Sequence, residues 1–294
     1  MRKNSQTLTT QSIPTLIKQL AIPASTGMFF NTMYNVVDTF YAGLISTQAI
    51  SALTLSFMIF FLIIGFGYGF SSAITALLGN AFGKKKYKLA TIYAHKGLIF
   101  VPLIGVILSL IGYFFAPSLF ILLGAKEDYL NLSLEYINPI LFGSVFFMFN
   151  FSLNSILVAT GDTKTYRNSL IFGFFANLVL NPLLMYGFLF IPAMGLSGIA
   201  IATVLIQIIN MGYLLYKVLQ TKLIHFEKLD YFSPNFRVYK QFLNQGIPSS
   251  LNMLTMGIGS LILTYFVSHY GVNAVAGYGI GFRVEQLMLL PALG

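Results

Sequence analysis

Asp38 stands in Asn35-Val36-Val37-Asp38-Thr39-Phe40-Tyr41-Ala42-Gly43, near the end of the first long apolar stretch. A carboxylate at the centre of a membrane helix costs roughly 2.5–3.5 kcal/mol on insertion scales, so a chain that keeps one usually employs it. Tyr34 lies four residues before Asp38 and Asn31 seven before it. On a helix these three share one face. A polar stripe of this kind belongs against protein or a water-filled cavity rather than lipid. Burial and hydrogen bonding pull a carboxylate's proton affinity in opposite directions. An acid balanced between them in an intermittently wetted cavity is suited to carrying a proton. The plainer reading is a structural acid that ties helices together.

Other polar residues repeat the pattern. Asn150 and Asn154 are four apart, as are Asn177 and Asn181, and Thr203, Gln207 and Asn210 follow i, i+4, i+7. Interhelical hydrogen bonds in membranes average about 0.6 kcal/mol, so any one pair reads equally well as glue. As a set, three polar faces point to three helices arranged with the first around Asp38. Pro23, Pro182 and Pro248 fall inside apolar stretches, where proline removes a backbone donor and commonly kinks a helix. Gly65, Gly67 and Gly69 lack the context of a phosphate loop and read as close packing. Asp162-Thr163 reads as a turn and helix cap. Arg283 and Glu285, two apart, point to different helix faces, and His95, His225 and His269 have no metal-ligand spacing. Aromatic rings in a cavity would hold a cation by its π-face. No constellation of this chain reads as an enzyme's.

The elements that must position these residues follow from composition. Of 294 residues, 56% are apolar and 9% charged, against about a quarter charged in soluble domains. There is no cysteine, which excludes disulfides. The net charge of +9 is dispersed in short runs, with no basic, aromatic-interleaved face for nucleic acid. Eight long apolar segments run at about 14–43, 49–80, 90–116, 129–159, 167–190, 194–220, 240–268 and 273–294. Most exceed the ~20 residues that span hydrocarbon. The expectation is an all-α polytopic membrane protein.

Basic residues alternate between connections. Arg2, Lys3 and Lys18 precede the first segment. Lys84, Lys85, Lys86 and Lys88 follow the second, Lys164 and Arg167 the fourth, and Lys217, Lys222, Lys228, Arg237 and Lys240 flank the sixth connection. The intervening connections are nearly bare, with only Lys126 beside Glu127 and Asp128. This bias places the N-terminus in the cytoplasm. The polar stretch 221–239, with Glu227, Asp230 and Pro234, is the natural boundary between 1–220, six helices, and 240–294, two more. Shifted by 225 residues, Ala21-Ile22-Pro23-Ala24-Ser25 falls on Gly246-Ile247-Pro248-Ser249-Ser250, and Thr39 falls on Thr264. This points to a parallel repeat, a known transporter plan. Asp38 falls on Leu263, so an acid's work would be done in the first half alone. Six helices per repeat make twelve, so the chain stops within the second helix of the second lobe.

Val37-Asp38-Thr39 with Gly43, Gly161-Asp162-Thr163-Lys164, Asn177-Leu178-Val179-Leu180-Asn181-Pro182-Leu183, Gly198-Ile199-Ala200-Ile201-Ala202-Thr203 and Gly246-Ile247-Pro248 stand in the order found in the multidrug and toxic compound extrusion (MATE) transporters, which the whole chain resembles. The resemblance implies two six-helix lobes around a central cavity, and exchange of H⁺ or Na⁺ for organic, often cationic, compounds. It matches Asp38 to the acid tied to cation coupling, Asn177 and Thr203 to the same network, and Asn154 to a fourth-helix asparagine. Asn181 stands where some members have a second acid, Val158 where an arginine often stands, and Met256 where one branch has a glutamate.

The expectation is therefore an inner-membrane antiporter of bacterial type, working as a monomer. It would export organic cations or amphipaths by alternating access. Asp38, Asn177, Asn181 and Thr203 would carry coupling, by H⁺ or, as a second reading, Na⁺, with no other cofactor. Tyr34, Asn31, Asn154, Gln207 and Asn210 would line the cavity. The alternatives are a flippase for a lipid-linked precursor, which would need basic residues in the cavity, and a non-transporting fragment.

Overall fold

The computed structural model describes residues 12–224 and 233–293. Arg2, Lys3, His225, Glu227, Lys228 and Asp230, used above for topology and the linker, lie outside the described residues. Within them the chain forms eight long helices: α1 (Ile13–Ile45), α2 (Thr47–Gly83), α3 (Tyr87–Leu122), α4 (Glu127–Ala159), α5 (Lys164–Tyr186), α6 (Gly195–Gln220), α7 (Phe236–Ser268) and α8 (Val272–Leu293). Long helices joined by short turns must run alternately up and down. The turn between α1 and α2 is one residue, Ser46, whose Oγ accepts from the Ala49 N–H at 3.0 Å and caps α2. Asp162 caps α5, accepting from the Thr165 N–H at 3.0 Å and its hydroxyl at 2.5 Å, which is the cap role read for this residue.

Six helices, α2 to α7, are long and apolar enough to cross a membrane. The two others fall short of that apolarity because each spends its length on polar groups: Asn31, Asn35 and Asp38 in α1, Arg283, Glu285 and Gln286 in α8. The 37 residues of α2 extend about 55 Å, well beyond a hydrocarbon core of about 30 Å. Leu103, Val106, Ile107, Leu110, Ile111 and Phe114 form an exposed apolar stripe on α3 at helical spacing. A face of that kind is at home in lipid.

The core is built around α2, which packs against α4 on one side and α7 on the other. Its glycines decide this. A Cβ at Gly69 would sit 2.0 Å from Ser250 Oγ and 2.5 Å from the Ser250 backbone nitrogen, so α7 approaches α2 backbone to backbone. Gly67 faces the other way, onto the Phe151 ring of α4. α1 lies between α5 and α8, and α6 packs on α4 and α5.

Helix α7 begins at Phe236, four residues earlier than the expected 240, because Asn235 supplies a cap: its Oδ1 accepts from the Val238 N–H at 3.3 Å. Under the 225-residue shift, Thr47, the first residue of α2, falls on Val272, the first residue of α8. Pro23, Pro182 and Pro248 all sit inside continuous helices. Pro182 has no N–H for the Leu178 carbonyl one turn back. The Tyr41 hydroxyl of α1 donates to that carbonyl instead, at 3.2 Å, and pins α1 to α5.

Candidate functional site

Asp38 is 3% exposed, three-quarters of the way along α1 where α5 and α6 converge on it. Its two oxygens are held differently. Oδ1 accepts from the Nδ2 groups of both Asn177 and Asn181, each at 2.8 Å. The two asparagines, one turn apart on α5, also bond each other at 3.2 and 3.4 Å, which fixes their rotamers. Oδ2 accepts from the Thr203 hydroxyl of α6 at 3.4 Å, and Thr203 in turn accepts from the Tyr34 hydroxyl at 2.9 Å. The chain of donors therefore runs Tyr34 to Thr203 to Asp38. Every bond in it favours the ionised carboxylate, since that form accepts only.

Tyr34 and Asp38 also line a cavity of about 1250 Å³, counting its open mouth. One wall is polar: Asn31 and Asn35 from α1, Asn150 from α4, Gln207 and Asn210 from α6. The lining is also aromatic, with Phe57, Phe60, Phe61 and Tyr68 from α2 and Phe147 and Phe151 from α4. Asn150 Nδ2 donates to the Gln207 side chain at 2.8 Å and its carbonyl at 3.0 Å, tying α4 to α6 beside the cavity. An amphipathic space with one buried acid at its edge can hold an aromatic or cationic molecule and exchange a proton in the same place.

Against known families, the MatE profile matches residues 23–183 and 248–294. The chain belongs to the MatE family. Curated relatives of this MatE chain include the probable multidrug resistance protein YoeA of Bacillus subtilis (strain 168), 30% identical over 85% of this chain and 54% of the relative. The FAD transporter of Shewanella oneidensis is 25% identical over 99% of this chain and 64% of that protein. Among solved structures, a MOP superfamily transporter from Pyrococcus furiosus superposes with a TM-score of 0.85 at 28% identity, over 99% of this chain and 64% of that one. A multidrug resistance MATE family transporter matches at TM-score 0.84 in its outward-facing conformation and 0.79 in its inward-facing one, both at 28% identity. This MatE chain thus spans 54% to 64% of the length of the relatives named with their coverage here.

Of the residues singled out in the sequence, Asp38, Asn177, Asn181, Thr203 and Tyr34 meet in one hydrogen-bonded cluster, and Asn31, Gln207 and Asn210 line the adjoining cavity. Asn154 does not line it. It lies one turn further along α4 than Asn150, and its buried Oδ1 has no hydrogen-bond partner. Leu263, the repeat counterpart of Asp38, is 55% exposed on α7, so nothing resembling the Asp38 cluster forms there. Among the contributors not singled out for the site are Tyr136, Asn35 and Gln286 of α8, which line the cavity. Asn35 carried a signal, four residues after Asn31, but Tyr136 is one of 17 tyrosines with nothing local to mark it.

Proposed function

We propose that this chain forms the ion- and substrate-binding part of a proton-coupled antiporter. It exports organic cations or amphipathic aromatic compounds across a bacterial-type cytoplasmic membrane by alternating access. The observation that carries the reading is the buried Asp38 carboxylate at the wall of an amphipathic cavity, held by three neutral donors. The naming of several relatives for multidrug resistance or export supports the substrate class. The likeness to both outward- and inward-facing relatives supports alternating access. In this reading residues 1–220 are one lobe, 221–239 a cytoplasmic linker and 240–294 the beginning of a second lobe related by a parallel repeat, with the N-terminus inside.

The geometry supplies a mechanism. With Asp38 ionised, Tyr34 points its proton at Thr203, and Thr203 points its own at Asp38. A proton arriving on Oδ2 must instead be donated to Thr203. The Thr203 hydroxyl then turns toward Tyr34, and the Tyr34 proton turns into the cavity. One protonation event is thereby written onto the cavity wall: the negative charge disappears and a new donor faces the substrate. A bound cation loses its counter-charge in that step, so proton and substrate compete for one state, which is the differential affinity that exchange requires. The donor set favours H⁺ over Na⁺. Both asparagines present N–H groups to Asp38, whereas a sodium site needs converging oxygens. Pro23 is the hinge we assign to α1 in the accompanying movement, with Pro248 its counterpart in α7 and Pro182 a further kink near the end of α5.

The test is efflux of an aromatic monocation from proteoliposomes under an imposed pH gradient and, separately, an imposed Na⁺ gradient. The reading expects transport driven by the pH gradient alone. Transport driven by Na⁺ at uniform pH would overturn the ion assignment.

A further inference from the structure

Arg283 of α8 has no place in the mechanism above, yet it is 5% exposed in the interior. A close helix crossing brings it there. At Gly279 a Cβ would sit 2.0 Å from Thr54 Oγ1, so only glycine lets α8 lie this close to α2. One turn later the Arg283 guanidinium rests over the Phe57 ring, 5.8 Å from its centroid, and Nη1 donates to the Gly279 carbonyl at 3.0 Å. Nε and Nη2 are buried with no hydrogen-bond partner. A buried guanidinium with two unmet donors is costly unless a nearby anion compensates it.

α8 packs along α1, and Arg283 borders the cavity that Asp38 lines: Phe57 beneath its guanidinium and Gln286, three residues further along α8, both line it, as does Tyr136 of α4. The groups facing Asp38 from the packed elements are otherwise few. Tyr34 lies on its own helix and Tyr136 on α4. α5 and α6 offer only the uncharged Asn177, Asn181 and Thr203. α2 offers the apolar wall. Glu285 is exposed and lines a second cavity with Phe282 and Met256, so it does not take this part.

We propose that Arg283 is the counter-charge of Asp38 supplied by α8, so that gain or loss of a proton in the first half is felt directly by the second. This rests on the reading of Asp38 as the proton-carrying acid. With Asp38 ionised, attraction holds α8 against α1. With Asp38 neutral, the guanidinium keeps its unmet donors and loses the carboxylate that offset them, the one buried acid among the described residues, and α8 is released to move. Arg283 is a positioning residue in this scheme: it touches neither proton nor substrate.

The experiment compares Asp38→Asn, Arg283→Gln, the double variant and Arg283→Lys in the full chain, by thermal unfolding in detergent and by pH-driven efflux of an aromatic monocation. The expected result is that Asp38→Asn lowers the unfolding midpoint, and that adding Arg283→Gln raises it again by about 2–4 °C rather than lowering it further. Arg283→Gln displaces the pH profile of efflux to higher pH, because a lost positive neighbour favours the protonated acid. Arg283→Lys keeps the profile near that of the parent. Additive destabilisation in the double variant, or an unmoved pH profile in Arg283→Gln, overturns the counter-charge. Recovered stability together with unimpaired efflux by Asp38→Asn would instead overturn the proton reading, and with it the link to α8.

Discussion

Tyr34→Phe removes one oxygen and leaves the ring, its burial and the cavity wall in place. In the mechanism above that oxygen is the outer end of a serial relay through Thr203 to Asp38. The Tyr34–Thr203 bond is a neutral pair at 2.9 Å, and such bonds contribute about 0.5–1.5 kcal/mol net, a 2- to 13-fold effect on a coupled rate. Thr203→Val removes both the acceptor for Tyr34 and the donor to Asp38. The second is a bond to a charged group but a long one, 3.4 Å, so the lower end of the usual range of about 1.5–3 kcal/mol applies, roughly a 13-fold loss. Because the relay is serial, the double variant should be no worse than Thr203→Val alone. The assay is the initial rate of pH-driven efflux from proteoliposomes for the four proteins, with substrate affinity measured separately in the absence of a gradient. Losses that multiply in the double variant would refute the relay, as would a Tyr34→Phe protein with an unchanged rate.

Packing makes further predictions. Gly69→Ala should lower the unfolding temperature markedly, since its Cβ would meet the backbone of Ser250 and overpacking costs about 1–3 kcal/mol. Gly79→Ala in the same helix, where a Cβ meets nothing within 4 Å, should be neutral or stabilising by up to about 1 kcal/mol. Equal effects of the two would contradict the α2–α7 approach. Tyr41→Phe should cost about 1 kcal/mol by leaving the Leu178 carbonyl without a donor. Pro182→Ala, which restores the helix's own N–H to that carbonyl, should cancel most of that cost in the double variant, as read by thermal unfolding.

Much of the cluster was legible because helical spacing carries it. Asp38, Tyr34 and Asn31 share a face by count alone, as do Asn177 and Asn181. Local periodicity says nothing of depth along the cavity, so Asn150 and Asn154 looked equivalent although only Asn150 reaches it. Hydropathy passes over the two helices that carry the buried charges: α1 with Asp38 and α8 with Arg283 are the ones not apolar enough by that measure to cross a membrane. Contacts between distant segments were beyond reach. The pairing of Tyr41 with the carbonyl freed by Pro182 depends on how α1 crosses α5, and the seating of Arg283 over Phe57 on the α2–α8 crossing that Gly279 permits. A glycine in a sequence does not name what it lets approach.

The central claim is that one carboxylate is shared in turn by a proton and a substrate. It is tested most directly by counting protons when an aromatic monocation such as ethidium is added to the purified protein in weak buffer, at a pH where Asp38 is partly protonated. The account predicts release of protons on binding, up to about one per bound cation, and none from the Asp38→Asn protein. Binding without proton release by the parent protein, or equal release by Asp38→Asn, would contradict it.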